Sequence, residues 1–185
     1  ALVGSGEYLP QSRELELFLL NEGGSNRFIQ IPTASGQESE LRRRYWKELG
    51  ATQAHSLGAE QVYLPIFERE DAMREDLAKL IEGAGLIYFS GGDPHFLVQT
   101  ILNTPVYEAI MKNWLAGSSL AGCSAGAMAM GSEVPHFRHL KREGEIGFSV
   151  VSHIRTIPHY DKFFKWIPDM AAQKLLGAPE GTTVL

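Results

Sequence analysis

The sequence predicts an α/β fold, a three-layer sandwich with a mostly parallel β-sheet between two layers of helices. Short apolar runs alternate along the chain with longer amphipathic stretches, which is the pattern of repeated strand–helix units. The run at residues 85–90 is apolar and flanked by glycines, as expected of a strand buried on both faces. The sequence contains no internal repeat, low-complexity tract or linker. We therefore expect a single domain over residues 1–185.

The strands and helices can be placed in order along the chain. Internal strands are predicted at residues 28–32, 61–66, 85–90, 119–122 and 154–158. Helices are predicted at residues 38–49, where Gly50 follows, at 71–82, where Gly83 follows, and at 105–115. Residues 1–4 resemble the second half of a strand, and residues 181–185 resemble the beginning of another. We therefore expect the chain to lack residues at both ends.

Composition excludes several classes of protein. Of the 185 residues, 44% are hydrophobic and the net charge is −5, so the chain is not expected to be disordered. No apolar run approaches the ~20 residues that a membrane-spanning helix needs. A pI near 5.7 gives no electrostatic reason to expect nucleic acid or an anionic membrane surface as a partner. A single cysteine cannot form an internal disulfide, which favours a cytoplasmic protein.

The loops that leave the strands are the candidate site, because ligands of parallel sheets bind beyond the carboxyl ends of the strands. Four such loops are rich in small residues, which let a backbone approach a ligand closely. They are Gly4-Ser5-Gly6-Glu7, Pro32-Thr33-Ala34-Ser35, Ser90-Gly91-Gly92-Asp93 and Gly122-Cys123-Ser124-Ala125-Gly126.

The last of these loops has the G-x-S-x-G pattern of a nucleophile elbow, between a short predicted strand and a helix-like stretch. Its glycines leave room for a sharp turn that presents the central Ser124 to the cleft. The N–H of Ala125 is then placed to donate to an oxyanion. Cys123 is intrinsically the better nucleophile, but the same turn directs it into the core, so we expect a small buried side chain there.

A serine nucleophile requires a base, and the sequence offers six histidines. His159 is the best candidate, because it follows a β-like run and comes after Ser124 in the chain. His95 follows a glycine loop and is better placed to contact substrate. His136 and His139 have a spacing that suits a metal on a helix, but no third ligand is clustered with them. We therefore expect neither a metal nor another cofactor.

Three motifs, in this order along the chain, resemble peptidase family S51. They are Ser90-Gly91-Gly92-Asp93, Gly122-Cys123-Ser124-Ala125-Gly126-Ala127 and Pro158-His159-Tyr160-Asp161, and the loops at residues 4–7 and 32–35 fit as well. The family comprises the aspartyl dipeptidases (dipeptidase E) and the cyanophycinases, on a class I glutamine-amidotransferase-like, flavodoxin-like fold. The resemblance implies a serine hydrolase with Ser124 as nucleophile and His159 as base. It also implies that the Gly91 and Gly92 backbone completes the oxyanion hole with Ala125.

The orienting acid is one place where the sequence departs from the family pattern. Dipeptidase E has an Asp between its serine and its histidine, whereas the carboxylates of this interval are Glu133, Glu143 and Glu145. We choose Glu133, the nearest to the elbow helix, as the acid that orients His159. Asp161, two residues beyond the histidine, is the second choice.

The glycine loop is the other departure. Cyanophycinases usually carry Gln after Gly-Gly-Asp, where this chain has Pro94-His95, so the resemblance does not settle specificity for a β-aspartyl-arginine unit. Because this loop contacts substrate in the family, we expect Asp93 and His95, together with Asp161, to bind substrate. An acidic substrate would need a cation in the pocket, and the candidates are Arg138, Lys141, Arg142, Arg155 and a protonated His95.

The leading hypothesis is a serine peptidase that hydrolyses small peptides at or next to an acidic residue through an acyl-enzyme. The alternative is a non-catalytic or amidotransferase-like relative that binds a small ligand in the same cleft, because fold alone does not fix activity. A carboxylate at the second ring nitrogen of His159 would favour the enzyme. The expected partner is a small peptide rather than nucleic acid or a membrane. The aromatic stretch at residues 163–167 fits a homodimer surface and a buried helix equally well.

Overall fold

A five-stranded parallel sheet forms the centre of the part of the chain that the computed structural model describes, residues 1–136, 144–159 and 183–184. Its strands are β1 (Leu2–Val3), β2 (Arg27–Ile31), β3 (Glu60–Tyr63), β4 (Leu86–Phe89) and β5 (Ser119–Cys123). They are arranged in the order β1-β5-β4-β2-β3, and each neighbouring pair is parallel. The predicted strands at 28–32, 61–66, 85–90 and 119–122 are therefore confirmed, with ends that differ by up to three residues.

The described helices are α1 (Arg13–Glu22), α2 (Glu40–Ser56), α3 (Arg69–Ala72), α4 (Glu75–Lys79), α5 (Pro94–Ile101), α6 (Pro105–Leu115) and α7 (Ala125–Ala129). Both α5 and α6 begin with a proline, whose fixed φ suits the first helical position. A capping side chain precedes each proline. The carboxylate of Asp93 accepts from two N–H groups of α5, and the hydroxyl of Thr104 accepts from one N–H of α6.

Helices cover both faces of the sheet. Successive residues of a strand point to opposite faces, and both faces here are apolar. Phe28 and Tyr88 point to one side, where they pack with side chains of α1 and α2. Ile29 and Phe89 point to the other side, against side chains of α5, α6 and α7. The predicted three-layer α/β architecture with a mostly parallel sheet is confirmed.

Helix α2 continues past the residue that was expected to end it. The prediction placed its end at residue 49, before Gly50, but the helix extends to Ser56. Gly50 is needed for packing rather than for termination: a Cβ there would lie 2.3 Å from Oε1 of Gln30. The Gln30 amide fills that space and donates to the carbonyl of Trp46 at 2.9 Å.

The single helix predicted at residues 71–82 is wrong, because the structure has α3 and α4 in its place. Each short helix is held by a different neighbour. The guanidinium of Arg69 donates to the carbonyl of Gln99 in α5 at 2.7 Å. The N–H of Gly83, beyond α4, donates to the side chain of Asn113 in α6 at 3.2 Å. Gly83 itself has φ +70°, the conformation for which the sequence analysis placed a glycine after a helix.

Two further pairs of strands lie outside the central sheet. Strands β6 (Glu133–Val134) and β7 (Glu145–Ile146) are antiparallel, and β8 (Ile154–Arg155) pairs with β9 (Thr183–Val184) in parallel. The strand predicted at 154–158 is thus confirmed as a shorter strand, and it pairs with the predicted C-terminal strand. Helices α1 and α5 were not predicted. Among the described residues, no helix has both the length and the apolar character needed to cross a membrane.

Candidate active site

The four loops that leave the sheet strands meet at one edge of the sheet, as predicted. The carboxylate of Glu7 joins three of them, because it accepts from the N–H of Gly91 and from the thiol of Cys123, each at 2.9 Å. The fourth loop meets the glycine loop at Ala34, whose carbonyl accepts from the N–H of Asp93 at 2.7 Å. A Cβ on Gly92 would lie 2.2 Å from that carbonyl oxygen, so this position requires glycine.

Ser124 lies on a sharp turn between β5 and α7. Its backbone has φ 51° and ψ −107°, a conformation that L-residues rarely adopt and that costs free energy. Hydrogen bonds hold both peptide groups of the turn: the N–H of Ser124 donates to the carbonyl of Val3 at 2.8 Å, and its carbonyl accepts from the N–H of Met128 at 3.0 Å. The flanking glycines are required by space, since a Cβ on Gly122 would lie 2.4 Å from the Gly126 backbone and one on Gly126 would lie 2.5 Å from the Phe89 carbonyl. This is the geometry of a nucleophile elbow.

The structure brings the predicted nucleophile and base together. Oγ of Ser124 lies 3.1 Å from Nε2 of His159, within hydrogen-bond distance. When the ring carries its proton on Nδ1, Nε2 accepts from the serine hydroxyl, which is the arrangement that activates a serine. His159 follows β8 and is held near the elbow by Thr156, whose hydroxyl donates to the Ala127 carbonyl at 3.3 Å.

Cys123 is fully buried, as the sequence analysis expected. Its thiol donates to Glu7, a contact that was not foreseen. Burial, and then the nearby charge of Glu7, raise the pKa of the thiol far above its ordinary value. The thiolate is the nucleophilic form of cysteine, so this side chain is chemically inert beside the half-buried hydroxyl of Ser124.

The N–H groups expected to form the oxyanion hole do not all have the same environment. Gly91 lies beside the elbow, since a Cβ built on it would be 3.4 Å from Cβ of Ser124, but its N–H is donated to Glu7. Ala125 is the first residue of α7, so its N–H has no acceptor within the helix. In the described part of the chain, the N–H of Gly92 has no acceptor either. Of the three expected donors, Gly92 and Ala125 are therefore the two whose N–H groups are not donated to a described residue.

Glu133, the residue chosen to orient His159, has other partners. Its carboxylate forms a short ion pair with Arg155 and accepts from the N–H of Gly144 at 3.1 Å. No hydrogen bond joins it to His159 among the residues described. The expectation that Glu133 is the orienting acid thus has no contact to support it. Glu143 and Asp161, the other carboxylates considered, lie outside the described residues.

The two residues expected to bind substrate in the glycine loop have structural neighbours. Asp93 caps α5, accepting from the N–H of His95 at 2.9 Å and from that of Phe96 at 3.1 Å. The ring of His95 stacks on the ring of His136 with centroids 4.0 Å apart, and its Nδ1 lies 3.7 Å from the carboxylate of Glu145. Sequence reasoning missed this cluster, because its members are distant in the chain.

The candidate cations for an acidic substrate are only partly described. Arg155 pairs with Glu133, and His95 lies beside Glu145, so a carboxylate already faces each of them. Several residues of the sequence analysis lie outside the described ranges, namely Arg138, His139, Lys141, Arg142 and residues 163–167.

Glu7 is the site residue that sequence reasoning missed. Its signal was an acidic side chain in a loop of small residues at a strand exit, where a carboxylate would accept from exposed N–H groups.

Comparison with protein families and curated proteins gives consistent matches. The model of peptidase family S51 matches residues 1–183. A cyanophycinase from Trichormus variabilis and one from a Nostoc species are each 33% identical to this chain over 134 residues. The matched segment is 70% of this chain and 43% of each cyanophycinase. The chain thus spans less than half the length of these curated relatives.

Two solved structures are similar to the chain over 95% of its length. A peptidase from an acI-B1 Actinobacterium is 52% identical, with a TM-score of 0.86 and 73% of its own chain covered. A putative peptidase E protein from Listeria monocytogenes EGD-e is 24% identical, with a TM-score of 0.67 and 84% of its chain covered. The second likeness bears on the fold alone, and both structures agree with the α/β architecture described above.

Proposed function

Because the chain belongs to peptidase family S51, we propose that it is a serine peptidase that hydrolyses small peptides at or next to an acidic, aspartyl residue. One observation carries the proposal: Oγ of Ser124 lies 3.1 Å from Nε2 of His159, on a turn that holds the serine at φ 51°. A strained turn that presents a hydroxyl to an imidazole favours nucleophilic catalysis over simple binding.

The proposed reaction proceeds through an acyl-enzyme. Nε2 of His159 takes the hydroxyl proton of Ser124 while Oγ forms a bond to the scissile carbonyl carbon. The resulting oxyanion accepts from the N–H groups of Gly92 and Ala125. Each donor stabilises the transition state by on the order of 3 kcal/mol. The C–N bond then breaks, and His159 gives its proton to the leaving amine. Water, activated by the same imidazole, hydrolyses the ester and restores the serine.

The preference for an acidic residue is supported by the family and by the cyanophycinase relatives, rather than by a cation in the described site. Arg155 and His95 each have a carboxylate neighbour, so neither offers an uncompensated positive charge. The substrate panel must therefore be broader than aspartyl dipeptides. It should include Glu-X dipeptides, neutral dipeptides and β-Asp-Arg, the unit suggested by the cyanophycinases.

The test is mass-spectrometric detection of products after the full chain is incubated with this panel. We expect cleavage of at least one acidic dipeptide, and its loss in Ser124→Ala and His159→Gln. Ser152, which is exposed, provides the matched control, because Ser152→Ala should leave the cleavage unchanged. A fluorophosphonate probe gives a second readout that needs no substrate, since it bonds to an activated serine and releases fluoride.

The outcomes separate the two hypotheses. Cleavage or probe labelling that survives Ser124→Ala would contradict the proposed nucleophile. A folded chain that neither cleaves the panel nor reacts with the probe would favour the non-catalytic, ligand-binding relative. Labelling without cleavage would retain the serine hydrolase and overturn the proposed substrate class.

A further inference from the structure

A second cluster of reactive side chains combines one residue that follows the glycine loop with two residues of the β6–β7 region. It consists of His95 in the first turn of α5, His136 just after β6, and Glu145 in β7. The antiparallel pairing of β6 with β7 sets Glu145 opposite Val134, two residues before His136. One potential ligand atom from each member lies within 4.8 Å of the others.

Two atoms of this cluster are buried without a hydrogen-bond partner among the described residues. Nδ1 of His95 and Oε2 of Glu145 are both shielded from solvent, and no described residue places a donor or acceptor within hydrogen-bond distance of either. Their separation of 3.7 Å is too long for a hydrogen bond. Buried polar atoms normally have hydrogen-bond partners. Two neighbouring buried atoms that lack them therefore indicate that a ligand binds between them.

The carboxylate is held so that one oxygen remains available. Nε2 of Gln99 donates to Oε1 of Glu145 at 2.7 Å, which ties α5 to β7 and leaves Oε2 directed at His95. The Asp93 cap fixes the first turn of α5, where His95 stands. Protein groups that bond to the ligating side chains in this way orient them in known metal sites.

We propose that His95, His136 and Glu145 form a binding site for a divalent transition-metal ion, with Zn²⁺ as the preferred occupant. Two imidazoles and one carboxylate are a donor set that zinc takes, with a fourth position left for water. Ca²⁺ and Mg²⁺ prefer sites made of oxygen alone, which this cluster is not. The stacked rings, 9° apart in plane, must rotate about their side-chain torsions to direct both nitrogens at one ion.

The ion would connect three segments that the peptide chain separates. His95 lies close after Gly92, which the proposed function uses as an oxyanion donor, while His136 and Glu145 belong to the β6–β7 pair. The site therefore fastens the β6–β7 pair to the end of the glycine loop. The inference does not depend on the proposed peptidase activity, because Ser124 and His159 are not members of this cluster.

The test uses the full chain, stripped of metal with a chelator and titrated with ZnCl₂ by isothermal calorimetry. We expect one zinc per chain, with an affinity that Glu145→Gln and His95→Gln each weaken by about 100-fold or more. Gln99→Ala, which frees the carboxylate to rotate, should weaken it by about 10-fold. His55→Ala is the matched control, because this histidine is exposed and remote from the cluster in the chain, and it should change nothing.

X-ray absorption at the zinc edge reports the ligands directly. We expect two imidazoles on zinc in the unaltered chain and one in His95→Gln, a difference that loss of folding alone would not produce. Ser124→Ala should bind zinc normally, which keeps this result separate from the test of the peptidase. Absence of zinc binding by the folded chain, or binding that His95→Gln and Glu145→Gln leave intact, would overturn the proposal.

Discussion

Glu7 shows how one side chain determines the shape of the candidate site. Its two oxygens accept from donors on different loops, the N–H of Gly91 and the thiol of Cys123, and the side chain is almost fully buried. An ionised carboxylate has two acceptors and no donor, which suits this position. An amide of the same shape would turn its NH₂ group toward one of the two donors.

Glu7→Gln should therefore loosen the loop that carries Gly92. We expect kcat/KM to fall by roughly 10- to 100-fold, because a small displacement of a catalytic group has effects of this size. The free energy of unfolding should fall by about 1–3 kcal/mol, the cost of leaving one buried group unsatisfied. The measurements are hydrolysis of the dipeptide that the panel identifies, the rate of fluorophosphonate labelling of Ser124, and urea denaturation.

The matched control is Glu14→Gln, which alters an exposed glutamate of α1 and should leave all three quantities unchanged. If Glu7→Gln labels as fast as the unaltered chain, the carboxylate has no part in positioning the glycine loop.

At the scale of elements, helix α2 depends on one glycine for its packing against the sheet. Replacing an interior helical glycine with alanine ordinarily stabilises a helix by about 1 kcal/mol. Here the new Cβ would lie 2.3 Å from Oε1 of Gln30. The Gln30 side chain cannot easily move, since it donates to the Trp46 carbonyl at 2.9 Å and accepts from Gln61 at 2.7 Å.

Gly50→Ala should consequently lower the free energy of unfolding by about 1–3 kcal/mol, the cost of overpacking a tight contact. The double variant Gly50→Ala/Gln30→Ala should lose less free energy of unfolding than the two single variants lose together, because the new methyl group no longer meets the Gln30 side chain. Urea denaturation of the four chains of this cycle measures the coupling. A Gly50→Ala chain that is more stable than its parent would show that α2 can shift to accept the methyl group.

At the scale of the whole molecule, the parts that could be predicted from sequence are those encoded by local patterns. The run at 85–90 predicted β4 because a strand buried on both faces is apolar throughout. The elbow was predictable because glycines on both sides of a serine, between a strand and a helix, leave room for the sharp turn that presents the serine. His159 could be chosen because it follows a strand, even though that strand belongs to a separate small pair rather than to the central sheet.

The parts that could not be predicted depend on contacts between distant residues. The sequence around Gly50 predicts a helix end, because nothing near it in the chain reveals the Gln30 side chain that occupies the space beside it. Glu133 was chosen for its position near the elbow helix, but Arg155, on another strand, takes its carboxylate. The cluster of His95, His136 and Glu145 has no spacing pattern, since three separate segments supply it.

The Glu133–Arg155 ion pair links strand β6 to strand β8, which precedes His159 in the chain. Glu133 belongs to β6 and Arg155 to β8, and the Arg155 side chain is only 12% exposed. We expect Glu133→Gln to lower the free energy of unfolding by about 1–3 kcal/mol, since a neutral amide replaces the carboxylate that pairs with a largely buried guanidinium. Arg155→Gln should have a similar cost, and the double variant should cost less than the sum of the two.

Catalysis distinguishes this structural role from that of an orienting acid. If the carboxylate serves Arg155, dipeptide hydrolysis by folded Glu133→Gln should fall by less than about 10-fold. Loss of a true orienting acid costs about 10⁴-fold in kcat, a difference far too large to confuse with partial unfolding. If kcat falls by that factor in Glu133→Gln but not in Arg155→Gln, Glu133 is the acid that orients His159. If folded Glu133→Gln retains its activity, another carboxylate orients His159, and Asp161 is the next residue to replace.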